Sequence, residues 1–405
     1  MDAAADTAVP GRQRPAEIAG GLVDHRHIAA QELEVMGAFR SPWLRPAFHA
    51  VDREAFAPAR FWSPVADSEG LYPVIDRDLD EDVWRRTVWG THASLVTQMN
   101  DGATRVEDGP ARGDFSSSIS ALDIVFEKLH QLDLAPDHRV LHLGTASGYD
   151  SALLCERVGP GRLTTLECDG ALSAWGRKNL RAAGYAPTAV CGDGLGGWEP
   201  TAPYDRIIAT ASVCRVPDAW RHQAAEGAVI VTPYTTAYGS GGALLKLTVD
   251  TEGIATGRFV GSAFYMLARA HRPARHLTPP AEFTRTSSRI DPAELLGGTW
   301  GQDFILGLAL PDISLTERGD GEGRQVQFWD ATGTNVTIVN HHRWWEPDAV
   351  TVYGPRNLWE DVVGAYSRWK HAGGPHYTRY GLTVDDTGTR LWLDEPDHGT
   401  GARTP

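Results

Sequence analysis

The sequence predicts an α/β fold built on a doubly wound parallel sheet, with a helical N-terminal lead-in and an additional C-terminal α+β domain. Three observations carry this. Between Ser117 and Tyr234 short apolar runs alternate with segments at helical spacing, the pattern of strand–helix–strand units. The run Val140–Leu143 breaks into Gly144-Thr145-Ala146-Ser147-Gly148, a small-residue turn where a strand hands over to a helix. After roughly Arg275 short strand-like runs surround one strong helical stripe.

The elements follow in order. Residues 1–28, rich in Ala, Pro and Gly, read as a flexible leader. Residues 29–113 read as a helical lead-in and substrate-side insertion. Two short helices are punctuated by Ser41-Pro42 and Pro58, and a turn-rich stretch follows, anchored by Trp84 and Trp89. Residues 114–275 form the core: helices over 121–132, 151–158, 170–183 and 217–225, and strands over 139–143, 162–167, 187–191, 204–210 and 228–234. Residues 276–405 form the accessory domain, with strands in 334–340, 349–354 and 388–394. Its helix places Leu358, Val362, Val363, Tyr366 and Trp369 on one stripe and stops at Gly373 or Gly374. Residues 397–405 read as a disordered tail.

Composition narrows the function. At 405 residues, and roughly 100–200 residues per domain, two to three domains are expected. With 42% hydrophobic and 22% charged residues the chain reads as soluble, and no apolar run approaches the roughly 20 residues of a membrane helix. A formal charge of -14 argues against a nucleic-acid partner. Without a basic-then-apolar N-terminus the expected compartment is the cytoplasm. Cys155, Cys168, Cys191 and Cys214 lack metal-ligand spacing, and His341 and His342, adjacent on a strand, would point to opposite faces; no metal is expected. Trp344, Trp345 and Trp359 read as domain core or as a peptide-binding face.

Gly144, Ala146 and Gly148 let a ligand approach the backbone, with free N–H groups at the following helix start. A dinucleotide fingerprint needs Gly or Ala at position 149. Here it is Tyr149, whose bulk would obstruct a pyrophosphate, so a ligand without phosphates such as S-adenosylmethionine fits better. Glu167, at the next strand tip, can accept from both ribose hydroxyls. Asp193 can accept from an adenine amino group while Gly194 and Leu195 line the ring. Taken singly, Glu167 is also a solvated strand end and Asp193 an Asp-Gly turn; convergence of strand tips on one crevice is what argues for a cofactor site.

The stretches "VLHLGTASGYDSALL", "LECD", "GYAPTAVCGDGLGGW" and "APYDRIIATASVCRVPDAW" resemble the protein-L-isoaspartate O-methyltransferase family over about residues 30–235. The lead-in, "SLVTQ" at 94–98, the serine run and the extra domain are similar to the long methyltransferases of ATP-grasp (graspetide) ribosomal peptide maturation. The resemblance implies a Rossmann-like class I methyltransferase sheet that binds S-adenosyl-L-methionine and releases S-adenosyl-L-homocysteine. It assigns cofactor contacts to Gly144, Thr145, Ala146, Gly148, Glu167, Cys168, Asp193, Gly194, Leu195 and Thr210. It also implies esterification of an aspartate side chain in a ribosomal precursor peptide cross-linked by an ATP-grasp ligase, with closure to an aspartimide, and makes the C-terminal domain a peptide-recognition module.

The family's substrate-facing Ser/Thr-Ile-Ser-x-Pro element maps onto "FSSSISALD". This makes Ser118 and Ser120 the catalytic hydroxyls and places Ser116, Ser117 and Leu122, the last where proline is usual, against substrate. Ser120 also suits a helix N-cap. A carboxylate with a pKa near 4 is already a nucleophile at neutral pH, so positioning matters more than a general base. Neutral hydroxyls position it without over-stabilising its ground state, and no Lys or Arg lies between Gly113 and Glu127. Two other readings stay open: a general isoaspartate-repair methyltransferase, and a non-catalytic binding protein.

Overall fold

The computed structural model describes residues 23–239, 241–272, 281–396 and 403–404. Most of the leader therefore lies outside the described residues, but its last part is already helical. Asp24 accepts from the His27 N–H and starts α1 (His25–Val35). Next come α2 (Leu44–Ala50), β1 (Arg60–Trp62), β2 (Val74–Asp76), α3 (Glu81–Val88), β3 (Leu95–Met99) and β4 (Phe115–Ile119). The four strands form an antiparallel sheet in the order β2-β1-β3-β4. The turn-rich insertion thus contains a sheet of its own, which short strands and loop-like composition concealed. Its last strand carries the serine run, so residues 115–119 belong to this sheet and not to the core that was expected to begin at residue 114.

The core begins at α4 (Leu122–Gln131) and continues through β5 (Val140–Leu143), α5 (Tyr149–Val158), β6 (Leu163–Glu167), α6 (Gly170–Ala182) and β7 (Thr188–Cys191). It then runs through β8 (Tyr204–Ala209), α7 (Asp218–His222), β9 (Ala224–Thr235), β10 (Gly242–Val249) and β11 (Ala255–Ser262). Strands β7-β6-β5-β8-β9 are parallel, and the near-continuous apolar runs of β5 and β8 reflect burial on both faces. Leu129, Leu153 and Leu154 fill one face with the N-terminal helices, while Trp220 and Phe304 fill the other. The strand order reverses at β5, with β6 and β7 added on one side and β8 and β9 on the other, creating a crevice at the carboxyl ends of β5, β6 and β8. β10 and β11, an antiparallel hairpin, went unread in the sequence.

Beyond residue 280 come β12 (Phe283–Thr286), α8 (Pro292–Leu296), α9 (Trp300–Ala309), β13 (Ile313–Arg318), β14 (Gln325–Asp330), β15 (Val336–Asn340), β16 (Val350–Tyr353) and α10 (Leu358–His371). A five-stranded antiparallel sheet, β12-β16-β15-β14-β13, packs on α10 through Phe328, Val339 and Trp359. The chain then returns: β17 (Tyr380–Asp385), β18 (Gly388–Leu393) and β19 (Arg403–Thr404) extend the central sheet beyond β11 to ten strands. This corrects the expected domain 276–405, since its final strands belong to the central sheet; Leu382 and Val384 are buried in that sheet's core. Apart from residues 403–404, the tail expected to be disordered and most of the 273–283 linker lie outside the described residues. Among the described residues no helix is long and apolar enough to cross a membrane.

Candidate active site

The crevice is a cleft of about 350 Å³ whose walls come from four sources: the glycine turn, the tips of β6–β8, the serine strand and the segment after β11. Gly144 and Gly148 take φ of +95° and +91°. A Cβ on Gly144 would sit 2.2 Å from Thr210 Oγ1, and one on Gly148 would sit 2.9 Å from Leu180 Cγ. Ala146 takes φ +42°, a left-handed conformation that costs a non-glycine residue roughly 1–2 kcal/mol. The turn is riveted from outside. The Gly144 and Thr145 N–H groups donate to the Leu166 carbonyl, and the Thr210 hydroxyl donates toward the Leu143 and Gly144 carbonyls at 2.9 and 2.7 Å.

Glu167 ends β6 with its side chain buried at the cleft wall. Its Oε2 accepts from the Ala146 N–H at 2.9 Å and its Oε1 from the Asp169 N–H at 3.1 Å, which ties the turn to the strand tip. Oε1 also accepts from the Cys168 thiol at 3.7 Å, whereas Oε2 keeps a second lone pair for a ligand hydroxyl. Asp193, exposed beyond β7, uses Oδ1 to accept from the Leu195 N–H at 3.0 Å. Trp220 holds the same turn by donating to the Gly194 carbonyl at 2.9 Å. Gly194 is hemmed in, since a Cβ there would meet Leu143 Cδ2 at 2.9 Å. A backbone cradle that Cβ atoms would fill, with two carboxylates at successive strand tips, suits the nucleoside and amino-acid parts of S-adenosylmethionine.

The serine strand forms the opposing wall. Its pairing with β3 is irregular on both sides of Gln98, and such bulges re-aim side chains. Ile119 points into the core, leaving its neighbours Ser118 and Ser120 to line the cleft. Ser116 donates to Gln98 Oε1 at 2.9 Å, and Ser117 is buried, accepting from the Thr97 hydroxyl at 3.0 Å. Among the described residues the Ser118 hydroxyl has no protein partner. Ser120 does not cap the next helix: Ala121 occupies the N-cap of α4 without a side-chain bond.

Fifteen residues are expected at the site from sequence, and thirteen of them line the cleft, Cys168 among them, exposed beside Glu167. Gly148 shapes the turn but does not line the cleft, facing Leu180 and the Gly176 carbonyl instead. Leu122 is the second correction. As the first residue of α4 it is fully buried among core side chains and cannot touch substrate. The argument from Tyr149 also fails on geometry. Its side chain is buried away from the cleft, under the Arg53 guanidinium at 4.9 Å and edge-on to Phe56, so it obstructs nothing there.

Sequence reasoning missed the segment after β11. Met266, Leu267, Ala268, Arg269 and Arg272 line the cleft. Arg269 donates to Asp169 Oδ2 at 2.9 Å and to Gln98 Oε1 at 3.1 Å, and pairs with Asp101 at 3.1 Å; Arg272 pairs with Asp101 at 2.7 Å. This clasp joins the N-terminal sheet to the start of α6. It also missed a buried polar layer. Lys128 donates to Asp150 Oδ2 at 3.3 Å, and His142 Nδ1 meets Ser151 Oγ at 2.8 Å and Thr165 Oγ1 at 3.1 Å. Burial pushes the Lys128 ammonium down, but the facing Tyr265 phenol and Asp150 carboxylate more than offset it and hold the ammonium above its usual value. The only legible signal was a lysine on an apolar helical stripe.

Fold and cleft together define a class I methyltransferase that uses S-adenosylmethionine. The family model for protein-L-isoaspartate(D-aspartate) O-methyltransferase matches residues 96–252. A protein-L-isoaspartate O-methyltransferase of Ignicoccus hospitalis is 36% identical over 163 residues, covering 40% of this chain and 77% of the relative. One from Methanothermobacter thermautotrophicus is 30% identical over 214 residues, covering 52% and 80%. A solved structure described as a protein-L-isoaspartate O-methyltransferase shares the fold with a TM-score of 0.53 at 18% identity, over 91% of this chain and all of that one. The chain belongs to the protein-L-isoaspartate O-methyltransferase family and is a carboxyl O-methyltransferase.

Proposed function

We propose that the protein esterifies the free carboxylate of an isoaspartyl residue in a polypeptide, with Ser118 and Ser120 orienting that carboxylate. The observation that carries this reading is the placement of two neutral hydroxyls, one of them uncommitted, across one cleft from the glycine turn. When bound, S-adenosylmethionine supplies an electrophilic methyl group. The chain's own contribution is positional. Gly144 to Gly148, Glu167 and Asp193 fix the cofactor, the serines hold the carboxylate in line, and the walls exclude water. Alignment of this kind supplies up to roughly 7–11 kcal/mol of a barrier. The carboxylate is ionised at neutral pH, so no general base is required.

The relatives favour a general isoaspartate-repair substrate range. A second reading, esterification of an aspartate in a ribosomally made, ATP-grasp-cross-linked peptide with closure to an aspartimide, is favoured by one feature. The family core here carries two further sheets, one supplying the serine strand and one beyond residue 280. In that reading the C-terminal sheet and α10 grip the peptide. The deciding experiment incubates the protein with S-adenosylmethionine and a generic isoaspartyl peptide, measures cofactor binding separately, and counts added methyl groups by mass spectrometry. Efficient methylation supports repair. Cofactor binding without methylation supports the dedicated peptide and directs the assay to the cross-linked substrate.

A further inference from the structure

The edge of the central sheet on which the cleft opens continues past β9. That strand runs parallel to β8, and the pairs Thr235–Gly242 and Ala243–Ser262 bring the start of β10 and the end of β11 to the same edge. From there the chain turns back toward the cleft. The Ala263 N–H donates to the Gly242 carbonyl at 3.0 Å, the Ser212 N–H to the Met266 carbonyl at 2.9 Å and the Ala268 N–H to the Ser212 carbonyl at 2.8 Å, so the segment is held at both ends. Between these anchors Tyr265 is directed inward, with Lys128 over its ring at 4.7 Å, while Met266 and Leu267 line the cleft. Phe264 goes the other way and is 60% exposed.

A lone exposed apolar side chain is ordinary, but Phe264 is not alone. Its ring meets that of Trp300, the first residue of α9, at 5.3 Å and 71°. Trp300 in turn lies 4.7 Å from the ring of Tyr377, and a Cβ on Gly241 would meet its Cε3 at 3.0 Å. Trp300 is half-buried, and among the described residues its indole N–H has no partner. Two rings standing nearly at right angles leave an open corner, a geometry that accepts a third ring edge to face.

We propose that the corner between Phe264 and Trp300 takes an aromatic or bulky apolar side chain that flanks the reacting residue of the polypeptide substrate. The occupant is the substrate itself because the corner is continuous with the cleft. Phe264 is two residues from the cleft-lining Met266, about 7 Å in extended chain, so a peptide with its carboxylate in the cleft reaches the corner with a residue roughly two to four positions away. The free indole N–H of Trp300 offers a donor to a main-chain carbonyl of the same peptide. Because the backbone on both sides of Phe264 is already hydrogen-bonded, little ordering of the protein is needed when the peptide arrives.

This inference rests on the isoaspartyl reading and adds a sequence preference to it, and the test separates the two. Methyl transfer is measured on a set of isoaspartyl peptides built from Gly and Ser, with a single Phe moved through roughly the four positions on either side of the isoaspartyl residue, and on the Phe-free parent. The proteins are wild type, Phe264→Ala and, as a control at an exposed apolar residue on α1, Val35→Ala, with S-adenosylhomocysteine affinity measured alongside. In the wild type at least one Phe position should lower KM about tenfold at little change in kcat, the scale of one aromatic contact. Phe264→Ala should abolish that gain while leaving kcat/KM for the Phe-free peptide and the S-adenosylhomocysteine affinity unchanged, and Val35→Ala should change nothing. Equal kcat/KM for every peptide, or a preference that survives Phe264→Ala or is lost equally in Val35→Ala, overturns the inference and leaves the isoaspartyl reading intact. Failure of the wild-type protein to methylate any peptide of the set while binding S-adenosylhomocysteine overturns both.

Discussion

At the scale of single residues, the lining of the cleft proposed for the cofactor was legible because its chemistry is local. A glycine needed for close approach and a carboxylate at a strand tip both follow from strand and turn positions. Asp193 gives a direct test: Asp193→Asn keeps an oxygen for the Leu195 N–H but turns an NH2 toward the place of the adenine amino group. It should fold normally and weaken S-adenosylmethionine binding about tenfold by calorimetry. Ala146→Gly relieves the φ of +42°, and denaturant unfolding should show stability rising by up to about 1 kcal/mol. Tyr149 misled because sequence gives a residue's place in a turn but not the side to which its ring swings.

His142 carries the pH dependence at this scale. Burial pushes its imidazole down to about 4, with Asp150 opposing and nearby Lys128 adding to the effect. Since an unfolded histidine has a pKa near 6.5, the unfolded chain binds the extra proton between these values. The stability is therefore fully present above pH 6.5 and is lost as the pH falls toward 4. Between pH 7 and pH 5 this amounts to about 2 kcal/mol, and His142→Gln should remove that part of the decline in urea unfolding.

At the scale of elements, the parallel strands and their helices announced themselves through apolar runs and helical stripes. What stayed hidden depends on partners far along the chain. β1 and β2 have three residues each, too few to show alternation, and exist through pairing with each other and, for β1, with β3. The clasp from Arg269 to Asp101 and Asp169 needs three segments to meet, and no local pattern announces it. Packing of α6 on the glycine turn is equally nonlocal. A Cβ on Gly176 would lie 2.4 Å from the Ala146 carbonyl oxygen and 2.9 Å from Thr145 Cγ2. Gly176→Ala should therefore lift the helix from the turn, costing roughly 1–3 kcal/mol in denaturant unfolding and weakening cofactor binding.

At the scale of the whole molecule, the return of β17 and β18 changes how the C-terminal module is tested. Cutting the chain at residue 280 removes these strands and leaves β11 as a bare edge, which invites aggregation. Such a truncation should be insoluble or associate on size-exclusion chromatography whatever the module binds. Replacing residues 312–371 by a flexible linker keeps β17, β18 and α9, whose Phe304 fills the central sheet's core, and is the variant whose loss of peptide methylation, with cofactor binding retained, would tie the module to substrate.

The same return has a consequence for synthesis. Ala255 pairs with Val384 and Arg258 with Gly381, so the sheet bearing the cofactor cleft is completed only after the entire intervening module has been translated. Long-range antiparallel pairing of this kind is slow to form. On the ribosome the nascent chain would hold a finished glycine turn beside an unclosed sheet, exposed to chaperones until its closing strands arrive.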